Sequence, residues 1–141
     1  MDGKENCVTC NKLSDDEITN RNSTRGGTYT VINFSSTKLS SVRVDFKVKG
    51  FKDNSKTFYN LQKMTGTDTH DVKYEIGLGS PSNYWEITIE RNNVKYFGKI
   101  KCDFRSWDDR FLILYIDQYN TVYFLFTDSG TCSLKLNQKT N

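Results

Sequence analysis

The sequence predicts an all-β fold: an antiparallel up-and-down meander of about eight strands, closed into a barrel, with a β-sandwich as second choice. Three observations carry this. Residues 111–126 read FLILYIDQYNTVYFLF, two apolar, β-rich runs broken by a short polar segment, which is a hairpin signature. Residues 42–49, Val42-Arg43-Val44-Asp45-Phe46-Lys47-Val48-Lys49, alternate apolar and charged with period two. Strand-like segments then recur every ten to fifteen residues or so, with no long helical period between them.

The elements follow in order. Residues 1–26 are polar and form a separate N-terminal segment, in which Ser14 and Glu17 could cap one helical turn. The β-barrel domain is residues 27–141. Its first strand is 29–34, and the second buries Val42, Val44, Phe46 and Val48. In residues 56–64 the inward side chains are Tyr59 and Leu61. Val72, Tyr74 and Ile76 share one face of the next strand, and Trp85, Ile87 and Ile89 share one face of the strand after the 77–83 loop. Arg91-Asn92-Asn93 is a tight turn, because Asn tolerates positive φ. Val94, Tyr96, Gly98, Ile100 and Cys102 then oppose Lys95, Phe97, Lys99 and Lys101. The 111–126 hairpin is apolar on both faces and must be covered on both. With Phe111, Ile113 and Tyr115 inward, Leu112, Leu114 and Ile116 point outward. A meander with one wet face closes most economically as a barrel, which removes its edges.

Composition bounds the function. In 141 residues, 35% are apolar and 13% aromatic, so large rings supply much of the core. The balance of 20 Lys and Arg against 17 Asp and Glu is mildly basic and spread singly, which argues against a nucleic-acid surface. No apolar run reaches the ~18–20 residues that span a bilayer. The N-terminus is not a signal peptide. Four cysteines (Cys7, Cys10, Cys102, Cys132) and two sequons, at Asn22 and Asn33, point to a secreted chain whose signal peptide has been removed. Neighbouring cysteines at the Cys7–Cys10 spacing rarely bridge each other. Each is therefore expected to pair with one of Cys102 and Cys132, stapling the N-terminal segment across the outer face of the hairpin. Asn22 and Asn33 are candidate glycan carriers.

No paired acid, base or nucleophile signals catalysis, so no enzyme and no cofactor or metal are expected. His70 reads as an exposed loop residue, and Cys7-x-x-Cys10 is half a zinc site without its second pair. The acids Asp45, Glu75, Glu86 and Glu90 fall on the water register, and Asp117 is placed to cap the hairpin turn. Candidate ligand-binding side chains are the rings Tyr29, Phe46, Tyr59, Tyr74, Trp85, Tyr96, Tyr115 and Tyr123, set to line the barrel interior around a small hydrophobic or amphipathic ligand. Arg105, Trp107 and Arg110, in the loop before the hairpin, are the residue types most enriched where proteins bind proteins.

Two short motifs resemble the lipocalins. Gly27-Thr28-Tyr29-Thr30-Val31-Ile32 is similar to the Gly-x-Trp opening of that family's first strand, with Tyr29 in the Trp position. Ile116-Asp117-Gln118-Tyr119 is similar to its Thr-Asp-Tyr turn, matching at Asp117 and loosely at Tyr119. The fifteen residues after Phe126 leave no room for the family's C-terminal helix. The resemblance spans roughly residues 26–130 and implies an extracellular carrier of a small apolar or amphipathic ligand. Fatty-acid-binding proteins share the barrel, but their helix pair does not fit in Ser35-Ser36-Thr37-Lys38-Leu39-Ser40. The second function expected is a secreted β-domain that binds another protein, a host or immune factor for instance, through the 104–110 loop and the 111–126 hairpin.

Overall fold

In the computed structural model, residues 23–105, 110–128 and 130–140 are described. They form strands β1 (Ser23–Asn33), β2 (Leu39–Val48), β3 (Asn54–Leu61), β4 (Thr65–Gly66), β5 (His70–Ile76), β6 (Asn83–Arg91), β7 (Val94–Lys101), β8 (Phe111–Ile116), β9 (Thr121–Phe126), β10 (Thr131–Lys135) and β11 (Asn137–Gln138). Among the described residues there is no helix, and so none long and apolar enough to cross a membrane. The all-β expectation holds. The first strand starts four residues earlier than the boundary at Gly27, because Ser23 to Tyr29 pair with Ile76 to His70 of β5.

The strands pair as two sheets. One runs β10-β9-β8-β1-β4, with β5 also on β1; the other runs β11-β7-β6-β2-β3. The hydrogen bonds do not close into one ring, so the closed up-and-down barrel is not what the pairing forms. β1 lies parallel to β8, with Thr28 beside Phe111 and Asn33 beside Ile116. A parallel pair between strands so far apart in sequence leaves no local pattern to read. The crossovers that a two-sheet arrangement needs are likewise hard to see in the sequence. Short connections such as 34–38 and 77–82 suffice to carry the chain between sheets stacked only ~10 Å apart.

The core lies between the sheets. Phe46 packs on Trp85 at 4.3 Å, Trp85 on Tyr29 at 5.8 Å and on Phe124 at 5.6 Å, and Tyr74 stacks on Phe104 at 4.2 Å. The Trp85 indole N–H donates to Cys102 O at 2.9 Å, which satisfies the one polar group of that ring. Val42, Val44, Phe46 and Val48 are buried as the alternation predicts, as are Val72, Tyr74, Ile76, Ile87 and Ile89. Asn92 and Asn93 both take positive φ in the β6–β7 turn.

Four side-chain assignments are corrected. The hairpin is inverted: Leu112, Leu114 and Ile116 are buried, while Phe111, Ile113 and Tyr115 face out. Both faces of these strands are apolar, so their own pattern could not choose. The parallel register does choose, because it sets Leu112 and Leu114 beside the buried Tyr29 and Val31. Tyr59 is 73% exposed rather than inward. Asn60 adopts a left-handed φ of 54°, which shifts the parity, so that Phe58 turns inward in place of Tyr59 while Leu61 is buried as expected. Asp45 is buried on the outer face of β2, covered by hydrogen bonds from Arg43 and Ser55. His70 is the half-buried first residue of β5, not a loop side chain.

Cys102 and Cys132 are bonded to each other, which overturns the expected pairing of each with Cys7 or Cys10. The bond ties the end of β7 to β10, across the two sheets, and is compatible with an oxidising compartment. Cys7, Cys10 and Asn22 lie outside the described residues.

Candidate functional site

The centre of the fold is not a ligand cavity. Of the eight candidate rings, Tyr29, Phe46, Tyr74 and Trp85 are packed against one another or their neighbours and almost wholly buried. Tyr96 is half-buried against the core from β7. Tyr115 and Tyr123 stack at 4.6 Å on the outside of the first sheet, and Tyr59 faces solvent. Eight such rings cannot line one interior, and large side chains fill what a wider fold would leave open.

The open space lies at one end, where the two sheets part. A cleft of about 810 Å³ is bounded by Gly26, Gly27 and Thr28 of β1 and Asp71, Val72 and Lys73 of β5 on one side. Phe46 and Val48 of β2, the turn Gly50-Phe51-Lys52, and Asn54 bound the other, with Arg110 alongside. That volume suits a small organic ligand. Only Phe46 among the eight predicted rings reaches it.

Local structure explains the opening. Gly26 and Gly27 pair with Lys73 and Val72, so the wall beside them has no side chains of its own. A Cβ on Gly26 would meet nothing within 4 Å, whereas one on Gly27 would lie 3.0 Å from the Tyr74 ring and 3.3 Å from Phe104. Gly50 takes φ of 91° to close the turn in which Phe51 N donates to Val48 O at 3.0 Å. That turn carries Phe51 over the cleft and Lys52 to its rim. Thr28 N donates to Arg110 O at 2.8 Å, which holds the Arg110 backbone at the same mouth. The floor is apolar (Phe46, Val48, Phe51, Val72), and among the described residues the rim bears Lys52, Lys73 and Arg110 against the carboxylate of Asp71. Among the described residues, none of these three cations makes an ion pair.

The cleft ends where the sheet edges are bridged. Asn54 Nδ2 donates to Asp71 O at 2.9 Å, which orients its amide so that Oδ1 faces His70 Nε2 at 2.8 Å. The His70 ring in turn packs edge-on against Tyr29 at 5.5 Å. Burial, and next the Lys56 charge, hold the His70 pKa below its ordinary value. The Tyr29 hydroxyl has no hydrogen-bond partner, and burial pushes its pKa up.

The remaining candidates separate. Arg105 and Arg110 are exposed, and Trp107 lies outside the described residues. Phe104, read as part of the binding loop, belongs to the core: its N–H donates to Asn83 Oδ1 at 2.8 Å and its ring stacks on Tyr74. Asp117 caps the hairpin turn as expected, accepting from Tyr119 and Thr121 N–H at 2.9 and 3.0 Å. Asn33 cannot carry a glycan in this fold. It is fully buried, and its amide donates to Thr37 O at 2.8 Å and Leu61 O at 3.0 Å.

Sequence reading missed Arg91 and the cleft itself. Arg91 is buried, and it donates to Asn120 Oδ1, Ser35 Oγ, Thr37 Oγ1 and Asp117 O. It ties three loops at the end of the fold opposite the cleft. The only local hint of the cleft was the Gly26-Gly27 pair inside a strand, a sign of close backbone approach or missing packing. No family model matches the chain, and no curated protein matches it.

Proposed function

We propose that this protein is a secreted binding protein that holds a small amphipathic ligand in the cleft between its sheets, not at the centre of the fold. The carrier role implied by the lipocalin resemblance is kept, and its site moves. The observation that carries the reading is the pairing of an apolar floor with a charged rim around a space of about 810 Å³. The packed rings around Trp85 supply the rigid wall behind it. Native mass spectrometry of the protein from a eukaryotic secretory host tests the reading, with organic extraction of what is bound. The expected result is one small molecule per chain, released on denaturation and depleted in Phe51→Ala. A clean apo mass, with no uptake of added amphiphiles, overturns it.

A second reading is favoured by a different surface. The outside of the first sheet carries Ile113, Tyr115, Tyr123 and Leu125, with Phe111 at 39% and Phe34 at 54% exposure beside them. A contiguous aromatic surface of this kind marks a protein interface. This is the protein-binding alternative of the 111–126 hairpin, now with the opposite set of side chains presented. Tyr115→Ala and Tyr123→Ala should abolish capture of such a partner and leave the cleft ligand in place.

A further inference from the structure

The cleft is one-sided in charge as well as in shape. Among the described residues, Lys52, Lys73 and Arg110 stand at its rim, three cations on three separate chain segments, against the one carboxylate of Asp71. Asp71 does not neutralise them: within the described residues its carboxylate joins no ion pair, and Asn54 takes its backbone oxygen. Exposed lysines scattered over a surface are an ordinary solvated face. Three around one recessed apolar floor form a site with a preferred polarity, because a cationic head placed there would meet an excess of like charge among the described residues.

We propose that the ligand is an anionic amphiphile, with a carboxylate, sulfate or phosphate head among Lys52, Lys73 and Arg110 and a hydrocarbon tail on Phe46, Val48, Phe51 and Val72. This rests on the cleft reading above and specifies its ligand. The amphiphile is taken up as a free molecule and not as part of a bilayer surface. Phe46, Val48 and Val72 are each no more than 4% exposed and Phe51 is half-buried, so the floor is recessed between the sheets and presents little apolar surface to a membrane. The geometry also orients the ligand. The tail lies on the β2 side, beneath the Gly50-Phe51-Lys52 turn, and the head stays at the wet rim.

The test is an NMR titration of the ¹⁵N-labelled full chain, with its disulfide formed, following the amides of Gly26, Gly27 and Gly50. Three twelve-carbon probes are used below their aggregation limits: dodecanoate, dodecanol and dodecyltrimethylammonium. Dodecanoate should shift all three amides and bind about tenfold more tightly than dodecanol. The cationic probe should be the weakest, and the dodecanoate affinity should fall as salt is raised. The triple variant Lys52→Glu, Lys73→Glu, Arg110→Glu changes only exposed side chains, and should bring dodecanoate down to the level of dodecanol or below. Phe51→Ala should weaken dodecanoate and dodecanol alike. If the alcohol binds as well as the carboxylate and the triple variant changes nothing, the anion assignment fails while the cleft reading stands. If no probe moves the cleft glycines, both fail. Flotation with phosphatidylglycerol vesicles, without any shift by monomeric dodecanoate, would overturn uptake of a free molecule in favour of bilayer contact.

Discussion

The centre of the space between the sheets and the end where it opens are built from opposite materials. Around Trp85, six large rings close the gap, and even the indole N–H is satisfied internally. At the Gly26–Gly27 end two successive positions of β1 carry no side chain, and the gap is bordered by charge instead. The same two sheets therefore give stability in one place and an open site in the other. What differs is side-chain volume, not backbone architecture. A protein of this size has few buried residues to spare, so volume withheld at one end must be compensated by dense packing elsewhere.

The comparison breaks most sharply at Trp85. Trp85→Ala removes the ring that touches Tyr29, Phe46, Phe104 and Phe124. It should cost about 3–5 kcal/mol in urea denaturation. Next is the Cys102–Cys132 bond, whose 30-residue separation makes its loss worth about 3–4 kcal/mol by chain entropy. The double Ser variant should lower the denaturation midpoint and leave the cleft amides unshifted. Gly27→Ala tests the boundary between the two regions. Its Cβ would press on the Tyr74 ring, which is held in a stack with Phe104, so a loss of about 1–3 kcal/mol is expected. Gly26→Ala, with open space around it, should cost well under that. A near-equal cost for the two glycines would show that both conduct packing strain alike.

The smallest effect is a pH dependence at the bridge between the sheet edges. His70 has its pKa lowered from 6.5 by burial and the Lys56 charge, with Asp71 partly opposing. The unfolded chain therefore binds a proton that the native state resists. This contribution is complete above about pH 6.5 and is lost as pH falls toward the lower folded value. His70→Gln should flatten the stability profile between pH 7 and 5, measured by denaturant midpoints. An unchanged slope would mean that the ring titrates as it does in water.

Much of the fold was legible from residues alone, and the exceptions are instructive. The strand at residues 42–48 showed its buried face plainly, because charges on one side leave a single way to face water. The same holds for Val72, Tyr74 and Ile76 and for Trp85, Ile87 and Ile89. The 111–126 hairpin failed as a parity reading because neither of its faces is polar. Tyr59 failed because one left-handed residue, Asn60, breaks the period that the reading depends on. Asn33 matches a sequon, yet only its burial reveals that its amide is already committed to Thr37 and Leu61. The candidate site was the least visible part. Its floor comes from β2 and β5, its opening from two glycines of β1, and its rim from cations far apart in the chain.

Sequence by itself determined that the described residues are all-β, which strands alternate, where the Asn92–Asn93 and Asp117 turns fall, and that rings make the core. These are local properties, set by side-chain period and backbone preference over a few residues. Tertiary structure alone decided the β1–β8 parallel pairing, the two-sheet arrangement, the Cys102–Cys132 partnership and the face each hairpin strand presents. Those depend on which distant segments meet, and the free energy that selects among such meetings is a sum over the whole core, with no signature in any one segment.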